Sequence, residues 1–178
     1  KGAATMLQCM RQLRCRYPDL ELSLFGHQRS DVARTAASIC DRFYTGLPSG
    51  EVAALLQSHD IFIYPSYSDG FPSPPLEAMA CGCAVVASRV GAVPDYGVDG
   101  ENMLMCDALD HCALFEATRR LIEDADLRCR ISTRAARDAR AWTWEICAAK
   151  FETLLTNLQA DRVEGAAVRR KAPQSRGV

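Results

Sequence analysis

The sequence predicts an α/β fold: a doubly wound, Rossmann-like parallel sheet whose first strand is missing. Three observations predict it. Helical and strand periodicities alternate along the chain with short connections, the pattern of a parallel sheet covered on both faces. The stretch "DIFIYPS" is apolar without alternation, as in a strand too hydrophobic for a one-sided sheet and therefore buried. The chain also opens in a helical pattern, whereas a doubly wound sheet starts from a central strand beside its ligand site.

The elements follow in order. Ala3, Met6, Leu7, Met10 and Leu13 recur at helical spacing, and the helix should end before Pro18. "LELSLFG" alternates apolar and polar residues and stops at Gly26, as a strand does. "SDVARTAAS", with Ser30 as cap, predicts a helix, and "CDRFYTG" a short strand closing at Gly46. "SGEVAALLQSH" predicts the next helix, ahead of "DIFIYPS". A proline-rich loop and a helix come next, then the strand "AVVAS", a turn-rich "VGAVPDYGVDG" and the strand "ENMLMC". Leu114, Ala117, Leu121 and Ile122 mark one closing helix, and Ala148, Phe151, Leu154, Leu155 and Leu158 another. The charged, aperiodic end predicts one domain over residues 1–159 and a disordered tail over 160–178. Opening on Lys1 in mid-pattern predicts a fragment, with a further segment upstream.

Composition narrows the function. The 178 residues carry a net charge of −1, so nothing global draws the chain to nucleic acid or to an anionic membrane, and any anion site must be local. Nine cysteines, an odd number without paired Cys-x-x-Cys knuckles, predict a reduced, cytoplasmic protein. Cys81 and Cys83 lack the second pair a zinc site needs. No stretch reads as a signal peptide or a membrane span. The Asp-x-Asp at Asp124 and Asp126 lies between helical stretches, where a helix-boundary role outweighs metal binding. Arg130, Arg134 and Arg137 share a helix face that could touch lipid phosphates, although a solvated face is the default. His27 could approach a ligand at a strand end, but a water-bonded loop histidine is the plainer reading. His59 and His111 read as surface residues near helix ends, and Trp142 and Trp144 as packing for the last helix.

The segment "DGFPSPPLEAMACG", Asp69 to Gly82, carries the chemistry. Ser73 is the expected cap of a helix whose first turn holds Pro74 and Pro75, where a missing N–H costs nothing. Glu77 near that positive end could simply stabilise the helix, by roughly 0.3–1 kcal/mol. Three features favour a ligand instead. The loop follows the carboxyl end of a buried strand, where open α/β sheets bind ligands. A helix terminus offers unpaired N–H groups to phosphate. Asp69 and Glu77 could converge on one polyhydroxyl ligand, since carboxylate oxygens accept hydrogen bonds from adjacent diols.

The run from "DIFIYPS" to "ENMLM" resembles the donor-binding, C-terminal half of retaining nucleotide-sugar glycosyltransferases of the two-domain GT-B fold, glycosyltransferase family 4. That family's signature is Glu, seven residues, Glu, then Ala-Met-Ala-Cys-Gly, a Val-Val strand and a Gly-x-x-Pro-acid turn. Here Asp69 is followed, after seven residues, by Glu77-Ala78-Met79-Ala80-Cys81-Gly82, then Val85-Val86 and Gly91-Ala92-Val93-Pro94-Asp95. Lys1-Gly2, the strand ends at Gly26 and Gly46, and "WTWEICAAKFETLL" extend the likeness from Lys1 to about Leu158.

The resemblance implies roles. Glu77 would accept the ribose hydroxyls of the donor, Asp69 would face its sugar or phosphate, and Lys1 would contact the diphosphate. Gly70, Phe71 and Pro72, with Ser73 beside them, would line the sugar. Leu47 would approach the base, Gly26 would end a neighbouring strand at the site, and Gly91 and Pro94 would shape the adjoining turn. No metal or other cofactor is implied. Helix termini and cations would stabilise the departing diphosphate, and the leaving phosphate would help deprotonate the acceptor hydroxyl with retention of configuration. The partners implied are the nucleotide-sugar donor, an N-terminal acceptor domain absent from this chain, and a sugar or lipid-linked acceptor, with peripheral membrane contact as an accompaniment.

Two positions depart from the pattern. Asp69 is one methylene shorter than the usual Glu, and Pro72 replaces a common glycine, removing an N–H. They keep a second reading in view, a noncatalytic nucleotide-sugar binding module. A third is a sugar-nucleotide epimerase of similar architecture.

Overall fold

Cys9, Met10 and Leu13 lie buried along one side of α1 (Ala3–Arg16), the amphipathic helix their spacing predicts. The computed structural model describes residues 2–26, 35–36 and 38–171. Beyond α1 come β1 (Ser23–Gly26), β2 (Arg42–Thr45), α2 (Ser49–Gln57), β3 (Ile61–Tyr64), α3 (Ser73–Ala80) and β4 (Ala84–Ser88). A short α4 (Val93–Tyr96), β5 (Leu104–Cys106), α5 (His111–Glu123), α6 (Ala125–Ala139) and α7 (Trp144–Lys171) complete the order. Lys1 and His27 lie outside the described residues, and so does most of the helix predicted from Ser30.

All strand pairings are parallel, in two groups: β1 with β2, and β3–β4–β5. No described strand joins β1 to β3. Among the described residues the sheet is interrupted between β1 and β3. Phe25 of β1 and Phe62 of β3 approach across the break with ring centroids 6.0 Å apart. Gly2, at φ +64°, enters α1 so close to β3's carboxyl end that a Cβ there would overlap the carbonyl of Pro65. The break also explains why β3, expected to be buried on both faces, is only half-buried along its length, while β4, paired on both edges, is fully buried.

Alternation along β4 divides the core. Ala84 and Val86 join Cys9 and Leu13 of α1, Leu114 and Leu121 of α5, and Ile131 of α6 in one apolar cluster. Val85 and Ala87, equally buried, point to the opposite face, which α3 covers. Each valine so buried contributes about 1.5–3 kcal/mol. Where the sequence marks two closing helices, the body holds α5 and α6 and α7 follows. The buried stripe of α6 is Leu127, Ile131, Ala135 and Ala139, half of it alanine, which weakens the periodic signal.

The compact body ends at Arg140, and Ala141–Val178 form a unit of their own. Composition predicts disorder from residue 160, yet α7 continues to Lys171; the segment is proline-free and rich in Ala and Arg, strong helix formers that sustain a helix after its apolar period stops. Trp144 is not packed: it is 89% exposed. No described helix is long and apolar enough to cross a membrane.

Asp41 ties the amino-terminal elements together. Its Oδ2 accepts from the Leu22 N–H at 2.7 Å and from Arg14 Nη2 at 2.6 Å. These bonds, the backbone one first, hold the carboxyl below the usual aspartate range. A depressed folded-state value means the stabilisation is present above the unfolded value, about 3.9, and is lost as pH falls through the folded one. Asp41→Asn should therefore melt below wild type at pH 7, and the gap should close on acidification. A gap unchanged down to about pH 3 in thermal melts would show that ionised Asp41 is not the source.

Candidate functional site

The candidate residues lie at the carboxyl ends of the strands. Leu47 follows β2, and the loop bearing Asp69 follows β3. Leu47 and Glu77 meet on one cavity of about 330 Å³ between α2 and α3, with Val52, Ala53, Leu56 and Cys81 among its walls. An apolar wall beside a carboxylate and the Ser49 hydroxyl suits a flat heterocycle joined to a diol. The Glu77 carboxylate makes no hydrogen bond or ion pair with the side chain or backbone of a described residue, while its own carbonyl accepts from the Cys81 N–H at 3.0 Å.

The start of α3 differs from expectation in two ways. The N-cap is Pro72, not Ser73, and no side chain caps this end. Of the four N–H positions a helix leaves unpaired at its start, three are proline here, so Ser73 alone supplies a donor. The expected set of phosphate-binding N–H groups shrinks to one plus the helix dipole. Glu77 is the fifth helical residue, beyond the first turn within which dipole stabilisation decays, so the purely structural account of this carboxylate weakens.

The loop ahead of α3 is held at every step. Tyr64, the last residue of β3, donates its hydroxyl to Asp69 Oδ2 at 2.7 Å. Ser66 Oγ donates to the Ser68 carbonyl at 3.2 Å. The Ala92 N–H donates to the Gly70 carbonyl at 2.9 Å. Tyr96, buried in α4, donates to the Pro72 carbonyl at 2.8 Å and meets the half-exposed Phe71 ring edge-on, centroids 6.0 Å apart. Gly91, at φ +51°, lies against the carbonyls of Asp69 and Gly70 where no side chain fits. Pro94 stands exposed in the first turn of α4, and Gly26 exposed at the end of β1. Asp69, Gly70, Phe71, Pro72 and Gly91 are thus brought together, while Leu47 and Glu77 line the neighbouring cavity.

Burial, then the bond to Asp69, pushes the Tyr64 hydroxyl up to about 12, so it remains a donor at neutral pH. Burial likewise raises Tyr96. The Cys81 thiol is raised by burial and then by the negative Glu77. Neither tyrosine was legible as a site residue: a tyrosine ending an apolar strand reads as core, and the short α4 hides inside a turn-rich stretch.

Other candidates resolve structurally. Asp124 caps α6, accepting from the Leu127 N–H at 2.8 Å. His59 is half-buried against the Leu55 carbonyl, 2.9 Å away, rather than on the surface. Arg134 bonds Asp138 at 2.7 Å, and Arg137 reaches the same carboxylate at 3.3 Å, so intrachain acids occupy that face. A separate crevice of about 370 Å³ lies beside β5 and α5. Its Asp110 is committed to capping α5 through the Ala113 N–H, and its Glu116 to Arg119, each at 2.8 Å.

Comparisons with known proteins converge. A family model described as "Glycosyl transferases group 1" matches residues 1–138. D-inositol 3-phosphate glycosyltransferase of Corynebacterium diphtheriae is 34% identical over 113 residues, 64% of this chain and 26% of that enzyme. MMP alpha-(1->4)-mannosyltransferase of Mycolicibacterium hassiacum is 32% identical over 158 residues, 84% of this chain and 38% of that enzyme. The chain therefore spans well under half the length of these curated relatives. Among solved structures, the C-terminal domain of a glycosyl transferase group 1 family protein from Francisella tularensis superposes with a TM-score of 0.70 at 24% identity, covering 79% of this chain and 78% of that one. That likeness concerns the fold, the C-terminal domain of GT-B glycosyltransferases.

Proposed function

Because the chain belongs to the glycosyl transferases group 1 family, we propose that it is the donor-binding part of a family 4 enzyme that moves a sugar, with retention, from a nucleotide diphosphate to an acceptor hydroxyl. The observation that carries this reading is the shared cavity of Leu47 and Glu77. The base packs on Leu47 and Val52, and Glu77 accepts the ribose hydroxyls. Asp69 and the braced backbone of Gly70, Phe71 and Pro72 meet the sugar, and Lys1 meets the diphosphate. As the glycosidic bond breaks, negative charge grows on the leaving diphosphate. With a single N–H left at the start of α3, cationic side chains and the helix dipole carry that charge. A preceding acceptor domain closes over the donor, so this part alone does not transfer sugar.

The prolines also favour a second reading, a module that binds nucleotide sugar without chemistry, because they remove donors a leaving diphosphate would use. Equal transfer by wild type and Asp69→Ala in the complete enzyme, with donor still bound, would select it. Product formed from the donor without acceptor would instead indicate an epimerase.

Cys81 lets occupancy of the cavity be read directly. Its half-buried thiol should react with N-ethylmaleimide at about pH 8.5, and peptide mass spectrometry separates it from the exposed Cys15, Cys112, Cys129 and Cys147. UDP-, GDP- or ADP-sugars, whichever matches, should slow modification of Cys81 and leave the exposed thiols unaffected. Unchanged labelling of Cys81 under all of them, at concentrations up to millimolar, would refute the nucleoside assignment.

A further inference from the structure

The bonds that brace the Asp69 loop divide by what they grip. The Ala92 N–H, the Tyr96 hydroxyl and the close packing of Gly91 all act on backbone carbonyls, those of Asp69, Gly70 and Pro72. Tyr64 grips the Asp69 side chain itself, its hydroxyl 2.7 Å from Oδ2. The tyrosine projects from the end of β3, a strand paired in register with β4, and a tyrosine ring has only two rotatable bonds. It is a stiff strut on a rigid element. A hydrogen bond to Oδ2 from a partner fixed in the sheet restricts rotation of the Asp69 carboxylate.

Resting on the reading of Asp69 as a donor contact, we propose that Tyr64 is a positioning residue that presets the Asp69 carboxylate for the sugar-diphosphate end of the donor. The arrangement suits the shorter acid at this position. Aspartate cannot fold back as glutamate can, so a partner fixed in the sheet below it sets where its oxygens stand. A carboxylate already oriented loses less rotational freedom on binding, and that saving appears as affinity for the donor.

The test is a double-mutant cycle on donor binding, with UDP-glucose and GDP-mannose as probes and the full-length enzyme as the protein. Tyr64→Phe removes only the hydroxyl and should weaken donor binding about 3- to 10-fold, with the loss falling on donor KM rather than kcat. Asp69→Asn should weaken it too, and the double variant should be no weaker than Asp69→Asn alone, because the two side chains act as one unit. Tyr96→Phe, which loses the hydrogen bond to the Pro72 carbonyl, should instead add to Asp69→Asn. Additive losses for Tyr64→Phe and Asp69→Asn, or no loss from Tyr64→Phe beside a clear one from Asp69→Asn, would overturn the positioning role and leave the donor site intact. If Asp69→Asn binds donor like wild type, the Asp69 assignment falls and takes this proposal with it, whereas Glu77→Ala reports on the nucleoside site independently.

Discussion

Replacing Glu77 with alanine is expected to weaken donor binding by roughly 10- to 100-fold, since a net 1.5–3 kcal/mol attaches to hydrogen bonds with a charged group and each 1.4 kcal/mol is a factor of ten. Transfer by the complete enzyme should be abolished at ordinary donor concentrations. The same substitution should leave the melting temperature almost unchanged. The Glu77 carboxylate bonds no described residue, it stands past the first turn of α3, and alanine is the better helix former. Function and stability therefore separate in one variant. Calorimetric titration beside thermal melts decides the matter: full donor affinity would remove Glu77 from the site, and a large fall in melting temperature with intact affinity would return it to a structural role.

Gly91→Ala should do the reverse and damage both. At φ +51° a side chain costs about 1–2 kcal/mol for the left-handed backbone alone. The new methyl would also overlap the carbonyl oxygens of Asp69 and Gly70, backbone atoms that cannot swing aside without moving the loop. A combined loss of about 2–4 kcal/mol, several degrees in melting temperature, is expected. Donor binding should fall with it, because the displaced carbonyls belong to the segment that presents Asp69. Gly82→Ala is the comparison: its φ is +89°, yet nothing lies within 4 Å of the added carbon. That variant should carry the strain cost alone and keep its donor affinity. If the two variants lose equal stability and both bind donor normally, the contact beneath the Asp69 loop does not hold the site.

Much of the fold was legible because it is written in short-range patterns. The strand "AVVAS" coincides with β4, and the spacing of Ala3 to Leu13 with α1. The helical opening predicts an incomplete sheet, and among the described residues β1 and β3 do not pair. Legibility failed where two signals overlapped. Ser73 reads as a cap, but Pro72 already has the extended conformation an N-cap requires, at φ −73° and ψ 111°, so the helix starts one residue earlier than it would with Ser73 as its N-cap. The helix α6 was masked by alanines that bury without announcing themselves, and the end of α7 by charged residues with high helix propensity.

The candidate site divides along the same line. Local sequence determined the alternation of helix and strand, the proline-braced bend and the presence of two acids beside it, because backbone preferences and periodicity extend over only a few residues. Tertiary structure decided that Leu47 shares a cavity with Glu77, that the Tyr64 hydroxyl meets Asp69 Oδ2, and that Gly91 lies under the Asp69 loop. Those meetings depend on strand order and crossover geometry, which bring distant segments to one edge of a sheet, and no nearest-neighbour pattern along the chain encodes them.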